Sequence, residues 1–202
     1  MPVRATTDNR FYLRFLVIGV VAIGFALWSA YDGAIAYPAQ RERALKYQEL
    51  EKEDRVKEWP EVARAQGWPT DTPGTPKTDA DFLVQYIMAA IAGTIGLWLL
   101  IVVLRSRGRW IEGSETGISS SWGRSFDFDS VESLDKKRWN KGIAKVKYRE
   151  GKRKKQFVID NYKFKRQETD TILRALESKI GADKIVGGEP EPPPEDQGEE
   201  AS

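Results

Sequence analysis

The chain has 202 residues, with 32 Lys and Arg set against 30 Asp and Glu, and it contains neither histidine nor cysteine. Without cysteine there are no disulfides, thiolate metal centres or lipidated cysteine anchors, and without histidine the commonest general base and transition-metal ligand are gone. These absences argue against an enzyme and against a resident metal or cofactor.

Arg4, Arg10 and Arg14 precede a first apolar run, Phe15 to Tyr31, which carries no charge before Asp32. The run predicts a transmembrane helix over residues 13–36, behind a cytoplasmic segment 1–12. Ala34-Ile35-Ala36 before Tyr37 has the A-x-A form of a signal-peptidase site, so a cleaved leader stays open as a second reading, although the run exceeds a usual leader core of ~7 to 15 residues. Residues 37–80 then form an extracytoplasmic loop. Within it, Gln40 to Glu58 places opposite charges four apart, as in Glu42/Lys46 and Glu53/Lys57, and predicts a solvated helix. Trp59-Pro60 caps a second short turn, Pro60 to Gln66, before Gly67, Pro69, Pro73, Gly74 and Pro76 break regular structure. Trp59 and Trp68 read as aromatics of the membrane interface.

A second apolar run, Phe82 to Leu104, has no charged residue over its length, about 35 Å of helix at ~1.5 Å per residue. It predicts a transmembrane helix over 81–104. No ionisable group sits at its centre, which argues against an ion or proton path through this chain alone. Small residues recur at four-residue spacing, Ala22, Ala26 and Ala30 on the first span and Ala89, Gly93 and, one register over, Gly96 on the second. Helices can approach closely there, on each other or on a second copy of the chain. Arg105, Arg107 and Arg109 follow the second span. With Arg10 and Arg14 before the first, they read as interface anchors and place both termini in the cytoplasm.

Beyond Arg109 the periodicity becomes two, and a β-rich domain is expected over 107–185. Trp110-Ile111 and Gly117-Ile118 flank a Gly113-Ser114-Glu115-Thr116 turn. Phe126 and Phe128 alternate before Val131 and Leu134. Ala144, Val146 and Tyr148 alternate with Lys145, Lys147 and Arg149, and a turn at Glu150-Gly151 leads back through Phe157 and Ile159. Thr169 is the expected cap of a last helix whose stripe is Ile172, Leu173, Leu176 and Ile180, with Glu177 on its solvent side and Gly181 at its end. The fold class is therefore α+β: two transmembrane helices and a small antiparallel sheet domain closed by a C-terminal helix.

The order of strands followed by a single helix resembles the pleckstrin-homology-like superfold, and more closely the small cytoplasmic domains of bacterial two-pass membrane proteins. Glu115-Thr116-Gly117-Ile118, Trp122-Gly123, Phe126-Asp127-Phe128-Asp129-Ser130-Val131, Asp135-Lys136-Lys137-Arg138-Trp139 and Val158-Ile159-Asp160 leading to Tyr162 carry the resemblance, over 109–180. It implies a PH-like domain at a bacterial inner membrane, and binding or scaffolding rather than catalysis.

Charge is segregated along the chain. Arg105 to Val186 holds 21 basic and 12 acidic residues, whereas 187–202 holds six acids and no base. The acidic, Pro-rich tail is expected to be disordered, and to shield the basic surface as a tethered counter-charge. The richest cluster is Lys145, Lys147, Arg149, Lys152, Arg153, Lys154 and Lys155, with Lys163 and Lys165 nearby. It points to anionic lipid headgroups at the membrane face or to an acidic protein partner. Nucleic acid is disfavoured, because Tyr148 and Phe157 fall on the core face and cannot stack on bases. No phosphate-binding glycine loop occurs, and Ser119, Ser120, Ser121 and Ser125 have no histidine to activate them. A second class of function is an accessory subunit of a transporter or envelope-processing complex, recognised through its helices or outer loop.

Overall fold

The structure, a computed structural model, describes residues 2–192. It divides into two units, Met1–Arg14 with Val103–Ser202, and Phe15–Val102.

The first apolar run and the loop helix join without a break. Helix α1 (Asn9–Tyr31) passes through a π-helical turn, Asp32–Ala36, into α2 (Tyr37–Lys52), giving one helix of 44 residues. After a short helix α3 (Trp59–Ala65), the second apolar run forms α4 (Asp79–Ser106). Thr78 and Asp81 cap α4 reciprocally: the Thr78 N–H donates to Asp81 Oδ2 at 2.7 Å, and the Asp81 N–H to Thr78 Oγ1 at 3.3 Å. Both long helices are long and apolar enough to cross a membrane.

Within this unit the shielded positions recur every three to four residues, through Gly19, Ile23, Ala26, Ser29 and Gly33 on one helix and Gln85, Ala89, Gly93, Gly96 and Leu99 on the other. Glycine decides how close they come. A Cβ at Gly96 would lie 2.8 Å from Ile23 and 3.0 Å from the Gly19 carbonyl oxygen, and one at Gly33 would lie 3.1 Å from the Tyr86 ring. The Tyr86 hydroxyl donates to the Gly33 carbonyl at 3.1 Å, and the Gln85 amide to the Tyr37 hydroxyl at 2.9 Å. The small residues thus serve contact within the chain. Ala26, Gly93 and Gly96 lie in this seam, whereas Ala22 lines an outward apolar groove and Ala30 is half-buried.

Trp59 is not an interface aromatic. It is 3% exposed, in a small core of the loop with Leu50 and Ala63, and Tyr47, Val62 and the half-buried Trp68 pack around it. Its indole N–H donates to the Asp71 carbonyl at 3.1 Å, which the Arg43 guanidinium also reaches. A ring pinned on both sides satisfies its polar atom internally, so nothing remains of it for a lipid headgroup.

The second unit begins before α1. β1 (Val3–Thr6) pairs antiparallel with β2 (Trp110–Gly113), Ala5 opposite Ile111, and the sheet continues through β3 (Gly117–Ser120) and β4 (Ser125–Asp127) in the order β1-β2-β3-β4. The segment read as a plain N-terminal flank is an edge strand, and both apolar helices lie between the first two strands of one sheet. Thr7 ties the junction, its N–H donating to the Arg109 carbonyl at 3.1 Å and its hydroxyl lying 2.9 Å from the Ser106 carbonyl. Gly117 is required where β3 meets β4: a Cβ there would stand 2.3 Å from the Phe126 carbonyl oxygen.

A second sheet has the order β7-β6-β5-β8, from β5 (Val131–Arg138), β6 (Ile143–Glu150), β7 (Arg153–Asp160) and β8 (Ile185–Val186). Helix α5 (Arg166–Ile180) completes one core with both sheets, through Ala5, Ile111, Phe126, Leu134, Val146, Tyr148, Phe157, Ile172, Leu173 and Leu176. Three expectations are corrected here. Thr169 lies inside α5, buried, with its hydroxyl donating to the Lys165 carbonyl, because the helix starts a turn earlier. Glu177 is 6% exposed, not solvent-facing. The start of the tail is not free of the domain: β8 and residues 187–191 lie against β5 and α5, while 193–202, where most of the expected disorder falls, lie outside the described residues.

Candidate functional site

The basic hairpin is built by strict alternation. Ala144, Val146 and Tyr148 of β6 and Phe157 and Ile159 of β7 are buried, so the intervening residues face outward. The register sets Lys145 opposite Val158, Lys147 opposite Gln156 and Arg149 opposite Lys154, with the Glu150-Gly151-Lys152 turn at the tip. Gly151 takes φ 58, a turn conformation in which a side chain is strained.

Two carboxylates reach into this cluster. Glu132 on β5 receives the Arg149 guanidinium in a two-pronged contact, 2.8 Å at Nε and 2.5 Å at Nη2, and Lys154 lies 3.9 Å away. The Arg149 hydrogen bond, with the charges of Arg149, Lys154 and Lys147 behind it, holds the Glu132 carboxyl below the ordinary glutamate range. Glu150 pairs with Lys155. Lys145, Lys147, Lys152 and Arg153 form no ion pair among the described residues. Three of the seven cations are therefore partly neutralised; of the other four, Lys147, Lys152 and Arg153 are exposed and Lys145 is half-buried.

Lys163 and Lys165 belong elsewhere. The Lys163 ammonium pairs with Asp160 at 2.9 Å, its carbonyl accepts from the Asp8 N–H, and the Lys165 N–H donates to the Thr6 carbonyl. They stand where the chain enters α1, at the opposite end of β7 from the tip. Lys154 and Asp160 are six residues apart on an extended strand, about 20 Å. Sequence proximity grouped two clusters that strand geometry separates.

The end of the domain beside α1 is aromatic and basic. Trp122 stacks on Phe157 and Phe164 at 5.8 and 6.1 Å, with Arg109 over its ring, and Arg4 lies 4.2 Å over Trp110 while pairing with Glu112. Arg10, Arg14, Arg105 and Arg107 are exposed on the helix ends. Among the described residues no group of three or more Asp and Glu has metal-binding geometry, and Asp127 and Asp129 diverge, one ending β4 and the other in the turn after it. A further charged centre, Lys136 between β5 and α5, escaped sequence reading because it sits in a run of three basic residues that looks uniformly solvated. Comparison with family models, curated proteins and solved structures finds no match.

Proposed function

We propose that this chain is a two-pass protein of a bacterial inner membrane, with both termini cytoplasmic, carrying a non-enzymatic PH-like binding module whose basic β6–β7 face takes an anionic surface. The pairing of β1 with β2 supports two passes, since strands before α1 and after α4 can share a sheet only from one side of a membrane. It supports an uncleaved first helix as well, because cleavage after Ala36 would remove β1 and Ala5 from the core. The arginines at the helix ends support the cytoplasmic side. The order of antiparallel strands β2 to β7 followed by α5 supports the PH-like reading.

The unpartnered quartet Lys145, Lys147, Lys152 and Arg153 carries the binding proposal. Lys145 and Lys147 share the outward face of β6, Lys152 sits in the turn and Arg153 lies on the other face of β7, so the charges surround the hairpin tip and attract anions, each cation being worth about 1 kcal/mol near an anionic bilayer. The anion favoured is the lipid headgroup of the leaflet in which the chain is anchored. A second reading, an acidic protein, is favoured by the ~20 Å of β7 that separate Lys154 from the residues beside α1, since headgroup attraction fades over a Debye length of ~10 Å.

The chain has no natural cysteine, which makes single-site labelling direct. Cysteines placed at Thr75 and Ser178 should differ in intact cells, only the first reacting with an impermeant reagent; equal reaction would sink the two-pass topology. A nitroxide on a cysteine at Lys152, in nanodiscs, should lose accessibility to a water-soluble relaxant when a third of the lipid is made phosphatidylglycerol, and regain it at high salt. Identical accessibility in neutral and anionic discs would exclude the lipid and leave the acidic protein.

A further inference from the structure

The last described residues are fitted to the second sheet. β8 runs parallel to β5, Ile185 opposite Leu134 and Val186 opposite Asp135. Gly187 follows at φ 76, where a Cβ would stand 2.3 Å from Lys137 Cγ and 3.2 Å from its backbone nitrogen, and a Cβ at Gly188 would stand 3.0 Å from Lys136 Cβ. The chain passes β5 too closely for side chains there.

It then closes over the Lys136 ammonium, whose side chain is 2% exposed. Nζ lies 2.5 Å from the Glu189 carbonyl oxygen, 2.8 Å from Glu191 Oε1 and 2.7 Å from Glu177 Oε1 of α5. The Glu191 N–H donates to Glu177 Oε2 at 2.7 Å. Both hydrogen bonds that the ammonium donates go to the tail, while Glu177 meets it as a close opposite charge.

The charge count shows what would happen without that segment. Lys136 and Glu177 would still face each other at 2.7 Å, so the emptied groove keeps a balanced ion pair and orphans no buried charge. With the tail seated, one cation meets two carboxylates. The strand itself is only two residues long, a slight attachment by the standard of ordinary strands. Close shape, a specific carboxylate contact and a floor that is neutral by itself are the properties of a groove whose occupant can be exchanged.

We propose that the groove between β5 and α5 is a binding site for an extended acidic peptide, and that residues 185–191 occupy it in cis until a partner segment of the same chemistry displaces them. That chemistry is two branched apolar residues, two glycines passing the strand, then a carboxylate for Lys136, added to the free edge of β5. The site is at the opposite edge of the sheet from β7 and stands independently of the basic hairpin. Tethering gives the cis segment an effective concentration in the millimolar range, so an outside peptide competes poorly while it is present.

The test uses the chain in nanodiscs of neutral lipid and a fluorescein-labelled synthetic peptide with the sequence Lys184 to Pro192, read by anisotropy. A chain ending at Lys184 should bind the peptide saturably and at least tenfold more tightly than the full chain does. The same peptide carrying Glu191→Gln should bind it at least tenfold more weakly, and a scrambled peptide should not bind. Charge reversal at Lys152, Arg153, Lys154 and Lys155 should leave this binding unchanged, which separates the groove from a simple attraction of acids to the hairpin. Equal binding by the full and shortened chains, or none by a shortened chain that still melts cooperatively, would overturn the proposal. Loss of that cooperative melting would overturn it too, since β8 would then be a strand the domain cannot release.

Discussion

If β1 is a structural strand of the C-terminal domain, residues 106–202 alone should not fold, whereas Pro2–Asp8 joined to Ser106–Ser202 through a short Gly-Ser linker should. The geometry permits the joint, because Thr7 already bonds to Arg109 and lies 2.9 Å from the Ser106 carbonyl. Without β1 the domain loses four residue pairs with β2, together with backbone hydrogen bonds from Thr7 to Arg109, from Asp8 to Lys163 and from Lys165 to Thr6. At roughly 1 kcal/mol net for each, about four ladder bonds and these three come to about 7 kcal/mol, before the burial of Ala5 and the cover over Ile111 are counted. That is comparable with the ~5 to 15 kcal/mol that holds a small domain folded. Near-ultraviolet circular dichroism and urea unfolding would read the outcome. The joined chain should show a sharp tryptophan signal and a single transition; 106–202 alone should show neither. A transition in both chains with the same midpoint and slope would refute the assignment of β1 to the core.

Gly96→Leu should lower the melting temperature of the full chain in detergent, by an overpacking cost of about 1 to 3 kcal/mol, because its Cβ would press on Ile23 and the Gly19 carbonyl, while Gly24→Leu, with nothing within 4 Å, should leave it unchanged. Leu176→Asp should unfold the soluble domain outright, and Glu177→Ala should cost a few kcal/mol by leaving the buried Lys136 to the tail alone; equal melting temperatures for Glu177→Ala and the parent would contradict the buried pair. Glu132 should titrate below the ordinary glutamate value of about 4.3 and return towards it in Arg149→Gln, as followed by NMR of its side-chain carboxyl. Its folded value is depressed, so its contribution to stability is present above the unfolded value and is lost as pH falls through the folded one; an unmoved midpoint in Arg149→Gln would show that Arg149 is not the cause.

Whatever depends on a local repeat could be read directly from the chain. Two long uncharged runs could only become apolar helices. The alternation of Ala144, Val146 and Tyr148 against three cations assigned each residue of β6 to its face, and the stripe from Ile172 to Ile180 marked the buried side of α5. Charge counts located the basic hairpin because three successive outward positions of β6, Lys145, Lys147 and Arg149, are basic. Periodicity shows which face is covered but not what covers it, and the remaining features all turn on that second question. Val3 to Thr6 has no pattern of its own and becomes a strand because β2, 108 residues away across Arg4 and Glu112, offers a free edge. Trp59 is an interface aromatic by composition and a core residue by contact, since Leu50 and Ala63 fold over it. Lys163 and Lys165 follow the hairpin in sequence, yet a strand's ~3.3 Å rise per residue carries them to its far end. Lys136 and Glu177 read as solvated surface until the chain returns as β8 and takes the water from around them, and only the tertiary structure could decide that, because the burial of a charge depends on where a distant segment comes to rest.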